Sequence, residues 1–245
     1  MESLRGRYIE PFLGGGAVFF SLLPANAFLS DLNPHLIETY TAIRDSPHEV
    51  IRLLQGWDVS ASTFYRIRTW NPDDQLQRAA RFLFLNRTSF AGIYRENRYG
   101  EYNVPFGGGD RTHHLLIESD VLLRASQALA STSLICRDFE CAVRESVSGD
   151  VVYCDPPYPA MQVGGFARYN GQIFGWGDQI RLAKVAREAQ ARGVTIIVSN
   201  ALDERVEHLY PTAQVHLLER RSRVSRTTAG RRRVREVLFV LSSGL

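Results

Sequence analysis

Four residues that follow a short apolar run constrain the fold of this chain more than any other feature of its sequence. Val151-Val152-Tyr153-Cys154 is typical of a buried strand, and Asp155-Pro156-Pro157-Tyr158 follows it directly. Because the two prolines fix φ and provide no backbone N–H, the strand has to end there. Ligands of an open α/β sheet bind in the crevice beyond the carboxyl ends of its strands. The pattern therefore predicts a carboxylate and an aromatic ring at a ligand-binding edge.

Acceptor groups and a flat ring at such an edge suit an exocyclic amine as the reacting group. The lone pair of this kind of amine is delocalised into its ring or carbonyl, and acceptors on its N–H bonds favour the localised, nucleophilic form. The Asp155 carboxylate and nearby carbonyl oxygens can act as these acceptors, while Tyr158 stacks on the planar substrate. A strand end followed by an ordinary proline turn is the alternative that these residues leave open.

A second pattern lies near the start of the chain. Tyr8-Ile9-Glu10-Pro11-Phe12-Leu13-Gly14-Gly15-Gly16 leads into the apolar run Ala17–Leu23, which indicates a strand, a glycine loop and a helix. Glycines there let the backbone approach a ligand closely, although the spacing is not that of a dinucleotide-binding loop. The next short strand, Ala27–Ser30, ends in Asp31, which is placed to accept hydrogen bonds from ribose hydroxyls. The two features together favour a nucleoside-containing cofactor, and a tight turn is the alternative for the loop alone.

Strand-like and helix-like segments alternate along most of the chain, which predicts a parallel α/β sheet with crossover helices. Pro34–Arg44 and Asp178–Arg192 have the apolar spacing of helices, and Thr195–Val198 is typical of a buried strand. The alternation stops between residues 56 and 118, where the helix-like run Leu76–Leu85 precedes an aromatic and arginine-rich stretch. We therefore expect a main domain of residues 1–55 and 119–245 and an inserted, mainly helical domain of residues 56–118.

Composition excludes several classes of protein. The 245 residues are 44% hydrophobic, which is enough for a large core. No run approaches the length of a membrane-spanning helix, and the chain does not begin with the apolar region of a signal peptide, so we expect a cytoplasmic protein. Cys136, Cys141 and Cys154 lie within or beside apolar segments and are predicted to be reduced core residues. The histidines show no metal-ligand spacing.

Positive charge is concentrated near the C-terminal end. The net charge is +3, and eight arginines lie between Arg220 and Arg235. The flanking runs Val215–Leu218 and Val237–Leu241 indicate two paired strands with a basic connection between them. Such a connection can contact phosphate groups, and a solvated hairpin is the alternative.

The motifs, in this order, resemble those of the Dam-like DNA adenine-N6 methyltransferase family. The resemblance covers nearly the whole chain and rests on Glu10–Gly16, Ser30–Asn33, Asn86–Arg95, Gly100–Gly107, Asp138-Phe139, Asp155–Tyr158, Val198–Asn200 and Arg220–Ser222. It implies a Rossmann-like S-adenosylmethionine methyltransferase sheet with an inserted DNA-recognition domain. Several independent motifs in one order are more specific than any of them alone.

The resemblance also implies roles for the residues of the site. Asp155 and the Pro156 carbonyl would accept hydrogen bonds from the target N6, and Tyr158 would stack on an adenine flipped out of the duplex. S-Adenosylmethionine would be the cofactor, and no metal is required. The implied cofactor-binding residues are Glu10, Pro11, Phe12, Gly14, Gly16, Asp31 for the ribose, Asp138 and Phe139 for the adenine, and Asp155.

Double-stranded DNA is the partner that the resemblance implies. Arg95 would read a base, Phe90 would enter the gap near the flipped adenine, and Pro105 would contact a thymine methyl group. The other implied contacts are Asn86, Arg87, Ile93, Asn103, Arg221 and Arg223. A buried position inside the insertion is the alternative for Phe90 and Ile93. GATC is the target familiar in the family, and Ala91, which replaces an asparagine common there, leaves open whether this chain shares that target.

The resemblance leads to further expectations and alternatives. Members of the family carry an additional N-terminal segment that lines the methionine end of the cofactor pocket, and none precedes Tyr8, so a catalytically silent DNA-binding remnant is one alternative. Methylation of another exocyclic amine, on cytosine N4 or an RNA base, is a second alternative. The glycine- and aromatic-rich stretch 159–177 is expected to be disordered without DNA and to close over the flipped base. We expect a monomer, with a cognate restriction endonuclease as a further partner that the resemblance allows.

Overall fold

The computed structural model describes residues 6–92, 95, 97, 100–108, 118–158, 168–169, 172–221 and 233–242. Nine strands are present in these ranges: β1 (Tyr8–Glu10), β2 (Ala27–Asp31), β3 (Ser133–Cys136), β4 (Val151–Cys154), β5 (Arg168–Tyr169), β6 (Gln172–Ile173), β7 (Thr195–Ala201), β8 (Gln214–Arg221) and β9 (Arg233–Leu241). The strands β5 and β6 form a separate antiparallel pair. The other seven strands form the main sheet.

The main sheet has the order β3-β2-β1-β4-β7-β9-β8. The first five of these strands are parallel, and β9 runs antiparallel between β7 and β8. The chain places β2 and β3 on one side of β1 and β4 on the other, so the strand order reverses between β1 and β4. This reversal is the topological switch point at which α/β sheets bind ligands. The predicted α/β, Rossmann-like sheet is confirmed, as is the pairing of the two C-terminal strands.

The described helices flank the sheet and form a helical region beside it. They are α1 (Ala17–Leu22), α2 (Pro34–Asp45), α3 (Pro47–Gln55), α4 (Ala61–Thr69), α5 (Gln75–Thr88), α6 (Ser119–Leu129), α7 (Phe139–Arg144), α8 (Trp176–Ala191) and α9 (Glu204–Glu207), with a 3-10 turn at Phe90–Gly92. The helices expected from apolar spacing are present, and their ends differ from the predicted ones by a few residues. In the described part of the chain, none of them has both the length and the apolar character that crossing a membrane requires.

Three clusters of buried apolar side chains hold these elements together. One lies between the sheet and helices α7 and α8, and another between the opposite face and helices α1, α2 and α6. The third is centred on Phe64 and Phe84 of α4 and α5 and also contains Val50 and Leu54 of α3. Because α3 precedes residue 56, this third cluster extends across the expected start of the insertion. The division of the chain into two domains stays a prediction.

The expectation for the cysteines is only partly correct. Cys154 is fully buried in β4, whereas Cys136 and Cys141 are exposed, and all three are free. Cys136 ends β3, which is an edge strand of the sheet and has solvent on one side. An apolar neighbourhood in the sequence does not reveal on which face of an element a side chain lies.

Candidate active site

A cavity of about 530 Å³ opens at the switch point, beyond the carboxyl ends of β1 and β4. Residues 10–18, from the end of β1 into α1, and Asp155–Tyr158, which follow β4, both line this cavity. Asp31, at the end of β2, completes the same rim. The volume of the cavity lies in the range that small-molecule pockets commonly have. The sheet therefore brings the glycine loop, the acidic strand end and the tetrapeptide to one cavity.

Asp31 holds the glycine loop in its shape. Its Oδ2 accepts a hydrogen bond from the Gly14 N–H at 3.0 Å, and its Oδ1 accepts from the Asn33 N–H at 2.9 Å. Gly14 and Gly16 have φ values of 46° and 63°, a left-handed conformation that favours glycine. A Cβ atom on Gly16 would also lie 2.9 Å from the ring of Phe20. Burial raises the pKa of Asp31, against the effect of the backbone donors.

Glu10 is a buried acid in the cavity wall. It is 2% exposed, and its Oε2 accepts a hydrogen bond from the Tyr8 hydroxyl at 2.6 Å. Burial, reinforced by the negative charge of Asp155, raises the pKa of Glu10 to about 7, although hydrogen bonds from Tyr8 and from the Phe19 backbone oppose the rise. Near neutral pH, this carboxyl group can therefore be protonated or charged.

Three phenylalanine rings form an aromatic cluster in the cavity wall. The rings of Phe12 and Phe139 stack with centroids 5.1 Å apart and planes inclined by 24°. Phe174 approaches Phe12 edge-on at 5.6 Å. Phe12 and Phe139 were predicted as cofactor-binding residues, whereas Phe174 was expected only in a closing loop. An aromatic surface of this kind suits the face of a nucleobase.

Arg181 joins the acidic residues of the wall and was not identified from the sequence. Its guanidinium donates to both carboxylate oxygens of Asp138, at 3.1 and 3.0 Å, and also to Asp178 and Glu140. The same group lies 4.4 Å from the centroid of the Phe139 ring. Asp138 in turn caps α7 by accepting from the Glu140 N–H. The spacing of Asp178 and Arg181 on one predicted helix was the available signal.

The tetrapeptide places Asp155 where the sequence predicted it. Asp155 is exposed and lines the cavity, while Pro156 beside it is buried. The Tyr158 hydroxyl lies 2.8 Å from the Ser199 Oγ of β7. Burial is the main cause that raises the pKa of Tyr158 above its usual value, so the phenol stays neutral. The hydroxyl end of the Tyr158 ring is therefore held by Ser199, and the ring itself is uncharged.

Two buried amides lie behind the tetrapeptide. Gln179 of α8 donates from Nε2 to the Pro157 carbonyl at 3.4 Å, and its Oε1 accepts from Asn200 Nδ2 at 3.1 Å. Gln179 is 1% exposed and Asn200 is completely buried. Val198-Ser199-Asn200 contributed to the sequence resemblance without a role, and Gln179 was not identified at all.

Most residues predicted to contact DNA lie on one exposed segment that begins at the end of α5. The Phe90 N–H donates to the Pro105 carbonyl at 3.0 Å, and Arg95 Nε donates to Asn103 Oδ1 at 2.8 Å. Phe90 is 40% exposed, and Arg87, Arg95, Asn103 and Pro105 are exposed as well. The exposure of Phe90 differs from the buried position that was its alternative.

A second, larger cavity of about 1380 Å³ extends from the glycine loop to this segment. Gly14 and Gly15 line one part of it, and Asn86, Arg87 and Gly92 line another. Asn86 Nδ2 donates to the Gly92 carbonyl at 3.2 Å, which closes the turn after α5. The exposed segment and the rim of the first cavity are therefore connected through this depression.

Other predicted contacts fall partly or wholly beyond the described ranges. Ile93 and Arg223 lie outside the described residues, and so does most of the stretch 159–177. Arg221 is the last residue of β8 and pairs with Arg233 in the backbone register. These contacts stay predictions.

Known proteins of one family are similar to this chain over most of its length. The family described as D12 class N6 adenine-specific DNA methyltransferase matches residues 2–224. A type II methyltransferase of Lactococcus lactis subsp. cremoris, M1.LlaDCHI, is 31% identical, covering 97% of this chain and 87% of that protein. A DNA adenine methylase of Vibrio cholerae is 32% identical with the same coverage. The DNA N-6-adenine-methyltransferase of Escherichia phage P1 is 34% identical over 83% of this chain and 28% of its own length. The chain belongs to the D12 class of adenine-specific DNA methyltransferases, and its activity is methylation of adenine N6 in DNA.

Proposed function

We propose that the chain binds S-adenosylmethionine in the cavity at the switch point and methylates an adenine that is flipped out of a specific site in duplex DNA. One observation carries the proposal. Asp155, at the end of β4, lines the same cavity as the glycine loop and Asp31. An acceptor for an amine and the elements of a nucleoside pocket therefore share one space.

The cavity fits a cationic, nucleoside-containing cofactor. Its described wall carries the carboxyl groups of Glu10, Asp31, Asp138, Asp155 and Asp178 and one guanidinium, that of Arg181. When bound, S-adenosylmethionine supplies an electrophilic methyl group on a positively charged sulfonium. An acidic wall favours such a cation over a phosphate-bearing ligand.

Asp31 and the aromatic wall are proposed to hold the nucleoside part. Asp31 Oδ2 accepts from the Gly14 N–H and Oδ1 accepts from the Asn33 N–H, and a carboxylate has about four acceptor sites, so acceptor capacity remains for ribose hydroxyls. The stacked rings of Phe12 and Phe139 offer an apolar surface for the adenine. Asp138 lies next to this surface and can accept from an exocyclic amine.

Asp155 and the Pro156 carbonyl are proposed to accept the N–H bonds of the target N6. Neither proline of the tetrapeptide has an N–H, so the backbone there presents only acceptors. Two acceptors on one amine favour the form in which its lone pair is localised on nitrogen. Tyr158, neutral and held by Ser199, is proposed to stack on the base. The residues act by positioning and by fixed electrostatics.

The exposed segment after α5 is proposed to recognise the duplex. Arg95 presents a guanidinium that Asn103 orients, which suits a fork-shaped contact to guanine. Phe90 is an exposed ring in the turn after α5 and suits insertion between bases. The cavity between this segment and the glycine loop offers a path for a base toward Asp155.

Calorimetry and methylation assays test the proposal. We expect saturable binding of one S-adenosylmethionine per chain, followed by methylation of plasmid DNA at one short sequence, which sequencing that detects modified bases will identify. DNA binding without cofactor binding or turnover would favour the silent remnant instead. Methylation that requires RNA or single-stranded DNA would reject the duplex as substrate.

A further inference from the structure

Pro156 and Pro157 limit the hydrogen bonds that can hold the backbone of the tetrapeptide in place. A backbone segment in a loop is normally held through both its N–H and its carbonyl groups, but Pro156 and Pro157 have no N–H. The segment can therefore be fixed only through its carbonyls and its side chains. The Pro157 carbonyl accepts a hydrogen bond from Gln179 Nε2. This bond ties the segment to helix α8.

Gln179 lies on the buried face of helix α8, where the other buried residues are apolar. Helix α8 buries six side chains, and Gln179 is the only one among them with a polar group. A buried amide destabilises the fold when its donor or acceptor is left without a partner. Gln179 avoids this penalty by using both ends of its amide, one toward Pro157 and the other toward Asn200.

The direction of each hydrogen bond in this chain of amides is determined by its neighbours. Asn200 Oδ1 accepts from the Ala201 N–H at 2.9 Å, so Asn200 Nδ2 has to face Gln179. Gln179 then accepts with Oε1, which leaves its Nε2 as a donor to the Pro157 carbonyl. The series begins at a backbone donor and ends at a backbone acceptor. Neither amide can rotate by 180° without placing two donors or two acceptors together.

The same end of β7 holds the tetrapeptide in a second way. Ser199, the neighbour of Asn200, contacts the Tyr158 hydroxyl at 2.8 Å. Adjacent residues of a strand point to opposite faces of the sheet, so β7 contacts Tyr158 on one side and Gln179 on the other. The peptide plane that carries the Pro157 carbonyl also carries the Tyr158 nitrogen. Both ends of the Tyr158 residue are therefore fixed.

We propose that Gln179 and Asn200 are positioning residues for the methyl transfer. The hydrogen bonds that run from the Ala201 N–H through Asn200 and Gln179 to the Pro157 carbonyl form a relay. This relay sets the orientation of the Pro157–Tyr158 peptide. The peptide in turn positions the Tyr158 ring and the neighbouring acceptors of the N6 hydrogen bonds. The relay touches neither the base nor the cofactor. The inference rests on the proposed roles of Asp155 and Tyr158. It adds the hydrogen bonds that hold these two residues in position relative to each other. The hydrogen bond to Pro157, the longest of the three, is expected to shorten when the base is bound.

The direct test replaces Gln179 by Met and compares it with a matched control. Gln190 lies on the same helix and donates from Nε2 to the Ser242 carbonyl at 3.1 Å, away from the cavity lining. Gln190→Met therefore removes the same kind of bond. We expect Gln179→Met to lower the single-turnover methylation rate constant by about 10- to 100-fold, with duplex and cofactor Kd values within about threefold. A 2-aminopurine placed at the target position should report altered stacking. We expect Gln190→Met to match the wild type in both readouts.

Gln179→Glu keeps the proposal testable if the Met variant does not fold. The charged carboxylate that this change introduces accepts from Asn200 but cannot donate to the Pro157 carbonyl. The protonated carboxyl group accepts with one oxygen and donates with the other, which restores the original pattern. Relative to the wild type, the rate of Gln179→Glu should therefore recover as the pH is lowered. A ratio that stays well below one across the whole pH range would contradict the relay.

The outcomes separate this inference from the proposed function. If the wild type forms no N6-methyladenine in duplex DNA, the proposed function fails. If the wild type is active and Gln179→Met slows transfer no more than Gln190→Met does, the relay has no positioning role and the inference is overturned. A loss confined to duplex Kd would also overturn it.

Discussion

The buried carboxyl of Glu10 leads to a quantitative prediction about stability and pH. Its pKa is raised from 4.5 to about 7 in the folded chain, mainly by burial. The protonated carboxyl is thus the form that the fold favours. Its contribution to stability is fully present below the unfolded pKa and is lost as the pH rises through the folded pKa. Glu10→Gln removes this titration and keeps the shape of the side chain.

The size of the change in unfolding free energy follows from the pKa shift of Glu10. One pKa unit corresponds to about 1.4 kcal/mol, so the full shift corresponds to about 3 kcal/mol. Part of this unfolding free energy is already lost below pH 5. Between pH 5 and pH 8, the wild type should therefore lose about 2 to 3 kcal/mol of unfolding free energy relative to Glu10→Gln.

Urea unfolding of both proteins, measured at several pH values without cofactor, tests this prediction. Glu49→Gln is the control, because the Glu49 side chain is 52% exposed and pairs with Arg52 on the surface of α3. We expect the difference between wild type and Glu10→Gln to grow with pH, and to change by more than the difference between wild type and Glu49→Gln. Parallel curves for wild type and Glu10→Gln would refute the assignment of Glu10 as a desolvated acid.

Three further substitutions test separate parts of the site. Asp155→Asn should reduce turnover by more than about 100-fold, with duplex Kd changed by only a few fold, because the carboxylate acts on the amine; single-turnover kinetics and fluorescence anisotropy measure the two effects. Arg181→Met should weaken S-adenosylmethionine binding roughly tenfold in calorimetry, since Asp138 loses its orienting partner; an equal loss in Arg187→Met, on the same helix, would contradict this. Arg95→Ala should relax one position of the recognition sequence at a cost of about 1 to 3 kcal/mol, measured with single-substituted duplexes.

The strand ends could be predicted because their signals are local. The apolar run before Asp155, the two prolines after it and the glycines after Glu10 each determine backbone conformation within a few residues. Parallel strands then bring their carboxyl ends to one edge, so Asp31 and Asp155 could be assigned to one cavity before its shape was known.

The contributions of helix α8 could not be predicted in the same way. Gln179 contacts Pro157, and Arg181 contacts Asp138, 43 positions away in the chain. These contacts depend on where α8 crosses the sheet, which is determined by packing in the whole core. Apolar spacing predicted the helix but gave no reason to expect a polar residue on its buried face.

The proposed role of Asp155, at the end of β4, is to direct methyl transfer to adenine N6. Its most direct test is mass spectrometry of nucleosides from duplex DNA treated with S-adenosylmethionine that carries a deuterated methyl group. The wild type should produce labelled N6-methyladenine, and Asp155→Asn should produce almost none at equal DNA occupancy. Label in N4-methylcytosine, or equal yields of N6-methyladenine from both proteins, would contradict the claim.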